Sequence, residues 1–288
     1  MMSEPEIAAQ VAACYCFESY GVKVKLEGND RRLIADAARR AQAALVGNVK
    51  PIRSRTFHHE FQILKKGASR FRLLHEDQDT GWGTSRRLLL KYFDSVLRVS
   101  VGEYAVDRVF LHAGAVGWKE KAILLPAHSF KGKSTLVSEL VKLGAQYYSD
   151  EYAVLDPKGM LHPFARPISM RTDDGKCRAY DVSVEQLNGK YGSDPIPVGS
   201  VLFTEFLRGR NWRAPRVLSP GAAMLALIPF SLSIRKRPDP TMNVLKTVSE
   251  TAFVGTGKRG EAAQFAKQFL DFLDHYSSNL NSNNPVLI

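Results

Sequence analysis

The sequence predicts an α/β fold, and two observations carry that expectation. Ala122, Ile123, Leu124 and Leu125 form a short apolar run suited to a buried strand, while Leu136, Val137, Leu140, Val141 and Leu143 recur at helical spacing until Gly144 stops the helix. Tyr147 to Glu151 then reads as a second strand ending in two acids, so strand, loop, helix and strand follow one another within Lys121 to Asp156.

A small α+β unit is expected ahead of this stretch, over residues 1–100. Cys14 to Gly28 contains Val22, Val24 and Leu26 alternating with lysines and a glutamate, the pattern of a half-buried strand. Asn29-Asp30 caps a helix whose apolar members are Leu33, Ile34, Ala37, Ala41 and Leu45. Phe57 to Leu64 and Phe71 to Leu74 read as strands separated by Lys65-Lys-Gly-Ala-Ser69. The adjacent His58 and His59 would point to opposite faces of a strand and read as surface or interface histidines, so the unit shows no chemical motif. Asp77 to Gly83 reads as a polar loop, and Thr84-Ser85 caps a helix carrying Leu88, Leu89, Tyr92, Phe93, Val96 and Leu97.

A second domain is expected over residues 101–276, opening with a strand at Arg108 to His112. Within it, Ala127-His-Ser-Phe-Lys-Gly-Lys-Ser134 matches the phosphate-binding pattern G-x-x-x-x-G-K-[ST] at all but its first position, where Ala127 replaces glycine. That chemistry needs backbone amides turned inward around phosphates, a glycine where no side chain fits, a lysine for the β/γ-phosphates and a hydroxyl for Mg²⁺. Ser129, Phe130, Lys131, Gly132, Lys133, Ser134 and Thr135 are the candidate nucleotide contacts. Lys133 is assigned to the β/γ-phosphates and Ser134 to the metal, whereas His128 would act through its backbone. Asp150 and Glu151 would emerge at the carboxyl edge of the sheet, where α/β proteins bind ligands. Two adjacent acids there can hold Mg²⁺ and accept a hydroxyl proton. Ser134, Asp150 and Glu151 are therefore the candidate metal ligands. Sequence does not separate the roles of the acids, and a solvated turn before Tyr152-Ala-Val-Leu155 is the bland alternative.

Further along, Asp156-Pro-Lys-Gly159 suits a tight turn. Thr172 to Pro197, polar and with four aspartates, reads as a mobile segment, and Val201 to Phe206 as a strand. Ser219-Pro220-Gly221 opens a helix packed through Met224, Leu225, Leu227 and Ile228. Glu261 to His275 forms an amphipathic helix, and the residues from 277 onward read as a frayed tail.

In their order, several of these pieces resemble the HPr kinase/phosphorylase family, in particular its shorter kinase-related members. The matching segments are Leu111-His-Ala-Gly-Ala-Val116, His128-Ser-Phe-Lys-Gly-Lys-Ser-Thr135, Ser149-Asp-Glu151, Arg166-Pro-Ile-Ser-Met-Arg171 and Lys258-Arg-Gly-Glu-Ala262, spanning about residues 105 to 275. Ala127 and an Asp-Glu pair in place of two aspartates depart from the family pattern. The resemblance implies a P-loop kinase domain related to phosphoenolpyruvate carboxykinase, using ATP and Mg²⁺ to phosphorylate a serine hydroxyl of a peptide or small protein. Some relatives of this size act on lasso-peptide precursors. It also implies His112 as an orienting partner of the acids, and the polar segment as an element that engages the acceptor. Asp150 is then the general base and Glu151 a metal ligand, or the reverse. Arg166 and Arg171 are candidates for holding the transferred phosphoryl group, since guanidinium forks match phosphate oxygens, with plain salt bridges as the alternative. The motif-free first unit suits a substrate-docking role. A small-molecule kinase and a nucleotide-sensing module without transfer remain open, as does homo-oligomerisation.

Composition narrows the classes. The chain has 288 residues, 44% of them hydrophobic, which suits one large or two modest globular domains. A net charge of +11 points to an anionic partner. The basic residues fall in scattered groups rather than one stripe with interleaved aromatics, which disfavours nucleic acid. The longest nearly apolar run, Gly221 to Ile234, is broken by Pro229 and too short to span a bilayer, so no membrane partner is expected. The opening residues lack the charged start of a signal peptide, and Cys14, Cys16 and Cys177 have no zinc spacing, so a reducing cytoplasm is the expected setting.

Overall fold

A computed structural model of the chain describes residues 11–128, 131–172 and 179–281. Among them lie six helices and three sheets of six, nine and two strands, a mixed α/β protein. The chain divides into two units, Met1–Arg108 and Val109–Ile288. No helix among the described residues is long and apolar enough to cross a membrane.

The first unit contains β1 (Ala13–Ser19), β2 (Val22–Gly28), α1 (Arg31–Ala44), β3 (Lys50–Pro51), β4 (His59–Lys66), β5 (Arg70–His75), β6 (Gln78–Asp79) and α2 (Arg86–Tyr104). Its sheet runs β3-β1-β2-β4-β5-β6, with β2 and β4 parallel. The expected single strand over Cys14 to Gly28 is a hairpin turning at Tyr20-Gly21. Asp30 and Ser85 cap the two helices as anticipated, accepting from the Leu33 and Leu88 amides at 2.8 and 3.2 Å. The helices lay Leu33, Ala37, Ala41, Phe93 and Leu97 on the sheet face formed by Phe17, Val24, Leu26, Phe61 and Leu73.

The second unit contains β7 (Val109–Trp118), β8 (Lys121–Pro126), α3 (Lys133–Lys142), β9 (Gln146–Ser149), β10 (Tyr152–Leu155), β11 (Met160–His162), β12 (Ile168–Arg171) and β13 (Ala179–Val182). It continues with β14 (Lys190–Tyr191), β15 (Ile196–Phe206), β16 (Arg216–Val217), α4 (Pro220–Leu227), α5 (Pro238–Thr251), β17 (Phe253–Arg259) and α6 (Ala262–Asn281). The strand expected over Arg108 to His112 is the first half of the longer β7. β8, β15 and β17 run parallel through the centre, and β7 joins β8 antiparallel. Alternation along the strands sends Ala122 and Leu124 to one face, against Leu227, Leu245 and Val248 of α4 and α5. Ile123 and Leu125 face Leu136, Leu140, Phe265 and Phe269 of α3 and α6.

Several expectations are corrected here. Thr172 to Pro197 is not one irregular segment, because β13, a short 3₁₀ turn at Glu185–Leu187, β14 and the start of β15 occupy its described part. Helix α4 buries Ala223 and Leu227 and leaves Leu225 68% exposed. Helix α6 runs through Asn281, past the point where a tail was expected from residue 277.

Candidate functional site

The site assembles around the middle of β7. On one edge β8 pairs with it up to Ala113 opposite Pro126, so the loop that begins at Ala127 leaves the sheet level with Ala113. Along the other edge β9 and β10 follow one another, with Ala115 opposite Ser149 and His112 opposite Tyr152. Asp150 and Glu151 are therefore the two-residue break between these strands, beside Ala113 and Gly114. Ser149 shapes that break: its hydroxyl oxygen accepts from the Glu151 and Tyr152 amides at 3.2 and 3.1 Å, the local side-chain turn that serine favours. The acids were expected at the end of a strand. They lie between two strands instead, and Asp150 is only 6% exposed, which removes the solvated-turn alternative for it.

Two glycines let helix and loop approach. A Cβ on Gly114 would stand 2.6 Å from Val137 Cγ2 and 3.2 Å from Lys133 Cγ, so the first turn of α3 rests directly on β7. Gly132, the N-cap of α3, has φ +74°, and a Cβ there would meet Arg259 Nη2 at 2.8 Å. The Arg259 guanidinium donates to the Gly132 and Gly260 carbonyls, both at 3.1 Å, and lies over the Phe206 and Phe265 rings. Burial pushes its pKa down. Arg259 thus braces the loop from the end of β17. Sequence reasoning included it in a matching segment without giving it this role.

Asp150 is the hub. Its Oδ2 accepts from the Ser134 hydroxyl at 3.0 Å and the Ser169 amide at 3.0 Å, and its Oδ1 lies 3.1 Å from the Tyr147 hydroxyl. Tyr147 also donates to the Arg166 carbonyl at 2.7 Å. A hydroxyl has one proton, and the shorter contact takes it, so Oδ1 faces an oxygen lone pair unless Asp150 itself is protonated. Burial raises the Asp150 pKa in the same sense, opposed by the Ser169 and Ser134 hydrogen bonds and by Lys133.

Lys133 is half-buried with Nζ 3.5 Å from the Ala127 carbonyl, and burial lowers its pKa to about 8 against the opposing pull of Asp150 and Glu151. His112 is held neutral, its pKa lowered to about 4 by burial and then by the charges of Lys133 and His128. Its ring packs beside Tyr152, with centroids 5.9 Å apart, and no hydrogen bond joins it to either acid among the described residues. The orienting role expected for it is therefore not made through direct contact. Glu151 pairs with Arg166 at 3.3 Å, the salt-bridge alternative for that arginine. Arg171 is exposed at the end of β12, opposite Ala179. Lys131 and Thr135 are exposed at the mouth of the loop. Ser129 and Phe130 lie outside the described residues.

The structure thus brings Gly132, Lys133, Ser134, Asp150, Glu151 and Arg166 together at the carboxyl ends of β8 and β9. No family model matches the chain, and no curated protein matches it.

Proposed function

We propose that the second unit is an ATP-dependent serine kinase of the HPr kinase/phosphorylase-related type, with a P-loop kinase domain like that of phosphoenolpyruvate carboxykinase. Its acceptor is a serine on a peptide or small protein. One observation carries the reading: the hydroxyl that the loop pattern assigns to a metal and a buried carboxylate from another strand meet at 3.0 Å, beside a half-buried lysine.

Mg²⁺ fits this pair. Both atoms are hard oxygen donors, and neighbouring ligands in an octahedron with bonds of about 2.0–2.1 Å stand roughly 2.9 Å apart. Ser134 and Asp150 would hold the ion, which when bound supplies positive charge to the β- and γ-phosphate oxygens. Asp150 is thereby placed on the metal side, and Glu151 becomes the group that accepts the serine proton. Arg166 orients Glu151 through their ion pair. The serine oxygen attacks the γ-phosphorus in line, the bond to the β-phosphate oxygen breaks, and ADP leaves. Lys133 neutralises charge on the phosphates, and the left-handed Gly132 turns the loop amides toward them. Arg171 is the candidate cation for the moving phosphoryl group.

Calorimetric titration of Mg·ATP into the full chain tests the site. Binding that is lost in Lys133→Ala supports it, and equal affinity in that variant removes the assignment.

A further inference from the structure

The first unit, which shows no motif in sequence, holds a second constellation of different chemistry. His59 opens β4 and His75 ends β5, and because Phe61 is the cross-strand partner of His75, His59 stands diagonal to His75 on one sheet face. Phe61 stacks on the His75 ring at 4.0 Å and Tyr104 meets the His59 ring edge-on at 4.8 Å, which fixes both imidazoles. The two histidines are 3% and 5% exposed, so of the surface and interface readings of His59 the surface one does not hold. Glu76, next in the chain, is 58% exposed and adopts a left-handed φ of +49°. That conformation is unfavourable for a non-glycine residue. It brings the carboxylate back onto the two rings.

Hydrogen bonds alone do not satisfy this cluster. His59 Nδ1 lies 2.9 Å from Glu76 Oε1 and 3.3 Å from His75 Nε2. A neutral imidazole nitrogen either donates or accepts. If His59 Nδ1 carries the proton, it serves Glu76 and leaves the His75 nitrogen to share the same hydrogen. If it does not, it accepts from His75 and turns a lone pair toward a carboxylate.

A cation at the common focus satisfies all three atoms at once. The edges of the triangle are 2.9, 3.3 and 3.7 Å. Ligands at about 2.0–2.1 Å around a tetrahedral zinc ion stand roughly 3.3–3.4 Å apart, the middle of that spread. Two imidazoles and one carboxylate match zinc and its neighbours rather than Mg²⁺ or Ca²⁺, which take oxygen donors. We infer that His59 Nδ1, His75 Nε2 and Glu76 Oε1 form a three-ligand Zn²⁺ site in the first unit, with a fourth position open to water or to a donor group of a bound molecule. The site ties the turn after β5 to the start of β4. The outer His59 nitrogen, Nε2, is buried without a hydrogen-bond partner among the described residues.

The test uses the full chain, tag-free and stripped with a chelator, titrated with ZnCl₂ by calorimetry and with CoCl₂ by visible absorption. One equivalent of Zn²⁺ and a tetrahedral Co²⁺ band are expected. Because Glu76 is exposed, Glu76→Gln keeps the fold, and it should weaken zinc by about tenfold or more. His75→Asn should do so more strongly, with thermal unfolding checking that it folds. Cys14 and Cys16, whose sulfurs are 3.5 Å apart, are the rival soft ligands. The Cys14→Ser/Cys16→Ser and Lys133→Ala variants should bind zinc as the parent does. Absence of stoichiometric binding, unchanged affinity in Glu76→Gln, or loss of binding in either control variant overturns the assignment.

Discussion

The Ser134 hydroxyl donates a 3.0 Å hydrogen bond to Asp150 Oδ2, joining the first turn of α3 to the break between β9 and β10 across the strand that separates them. In the proposed reading the same two oxygens would face a common Mg²⁺ at nearly this separation, so the Ser134 proton must turn away from Asp150 when the ion binds. Because a carboxylate ligand must be deprotonated, the proposed metal binding would be coupled to the Asp150 proton.

The first prediction concerns stability. Burial raises Asp150 above its ordinary value of 3.8, so the folded chain holds this proton more tightly than the unfolded one. The contribution is complete below 3.8 and is lost as pH rises through the raised value. Asp150→Asn keeps an acceptor for Ser169 and Ser134 and gains an N–H for Tyr147, without a buried charge. Thermal unfolding of ligand-free protein should show the variant more stable at neutral pH, with the gain shrinking toward pH 3.8. A neutral-pH melting temperature at or below that of the parent would show Asp150 to be stably ionised.

The two acids should separate under mutation. Asp150→Asn is expected to weaken the Mg²⁺ dependence of ATP binding, because it removes the carboxylate proposed to hold the metal. Glu151→Gln should leave Mg·ATP affinity within a few-fold of the parent while reducing transfer by about 10²–10⁴-fold, the usual worth of a general base. Calorimetry and single-turnover rates distinguish the two. The opposite pattern would reverse the roles.

Lys133 would set a pH limit on the proposed nucleotide binding. With its pKa lowered to about 8 by burial, its charge is present below that value and lost above it in the ligand-free protein. ATP affinity should fall as pH rises through 8, with proton uptake on binding above it, and Lys133→Ala should flatten this dependence. Titrations in buffers of different ionisation enthalpy measure the uptake.

The brace on the loop is testable by a double-mutant cycle. Gly132→Ala forces a side chain into a left-handed position, at roughly 1–2 kcal/mol, and against the Arg259 guanidinium. Arg259→Ala alone removes the contact with the Gly132 carbonyl. The stability losses should be less than additive, since each variant disrupts the same contact. Full additivity in denaturant unfolding would mean the two residues act independently.

Legibility in the sequence followed the range of each interaction. The caps at Asp30 and Ser85, the turn of β8 into α3 and the stop at Gly144 are set by neighbours in the chain. α5 went unread because Pro238 and Pro240 look like breakers, although the first turn of a helix accepts proline. β17 was obscured by Gly255 and Gly257. Arg259 reaches Gly132 across 127 residues, and the His59 cluster depends on a strand pairing between positions 16 apart in the chain. Period and propensity are local signals and carry no information on such partners.

Mass spectrometry after incubation with ATP and Mg²⁺ is the decisive measurement for the proposed phosphoryl transfer to a peptide serine. The acceptors should be serine-containing peptides, including one with a C-terminal serine, alongside free L-serine and sugars. One phosphate added to a peptide serine is expected, absent with Lys133→Ala and strongly reduced with Glu151→Gln. Phosphate found only on a small molecule, or ATP bound and never consumed with any acceptor, would contradict it.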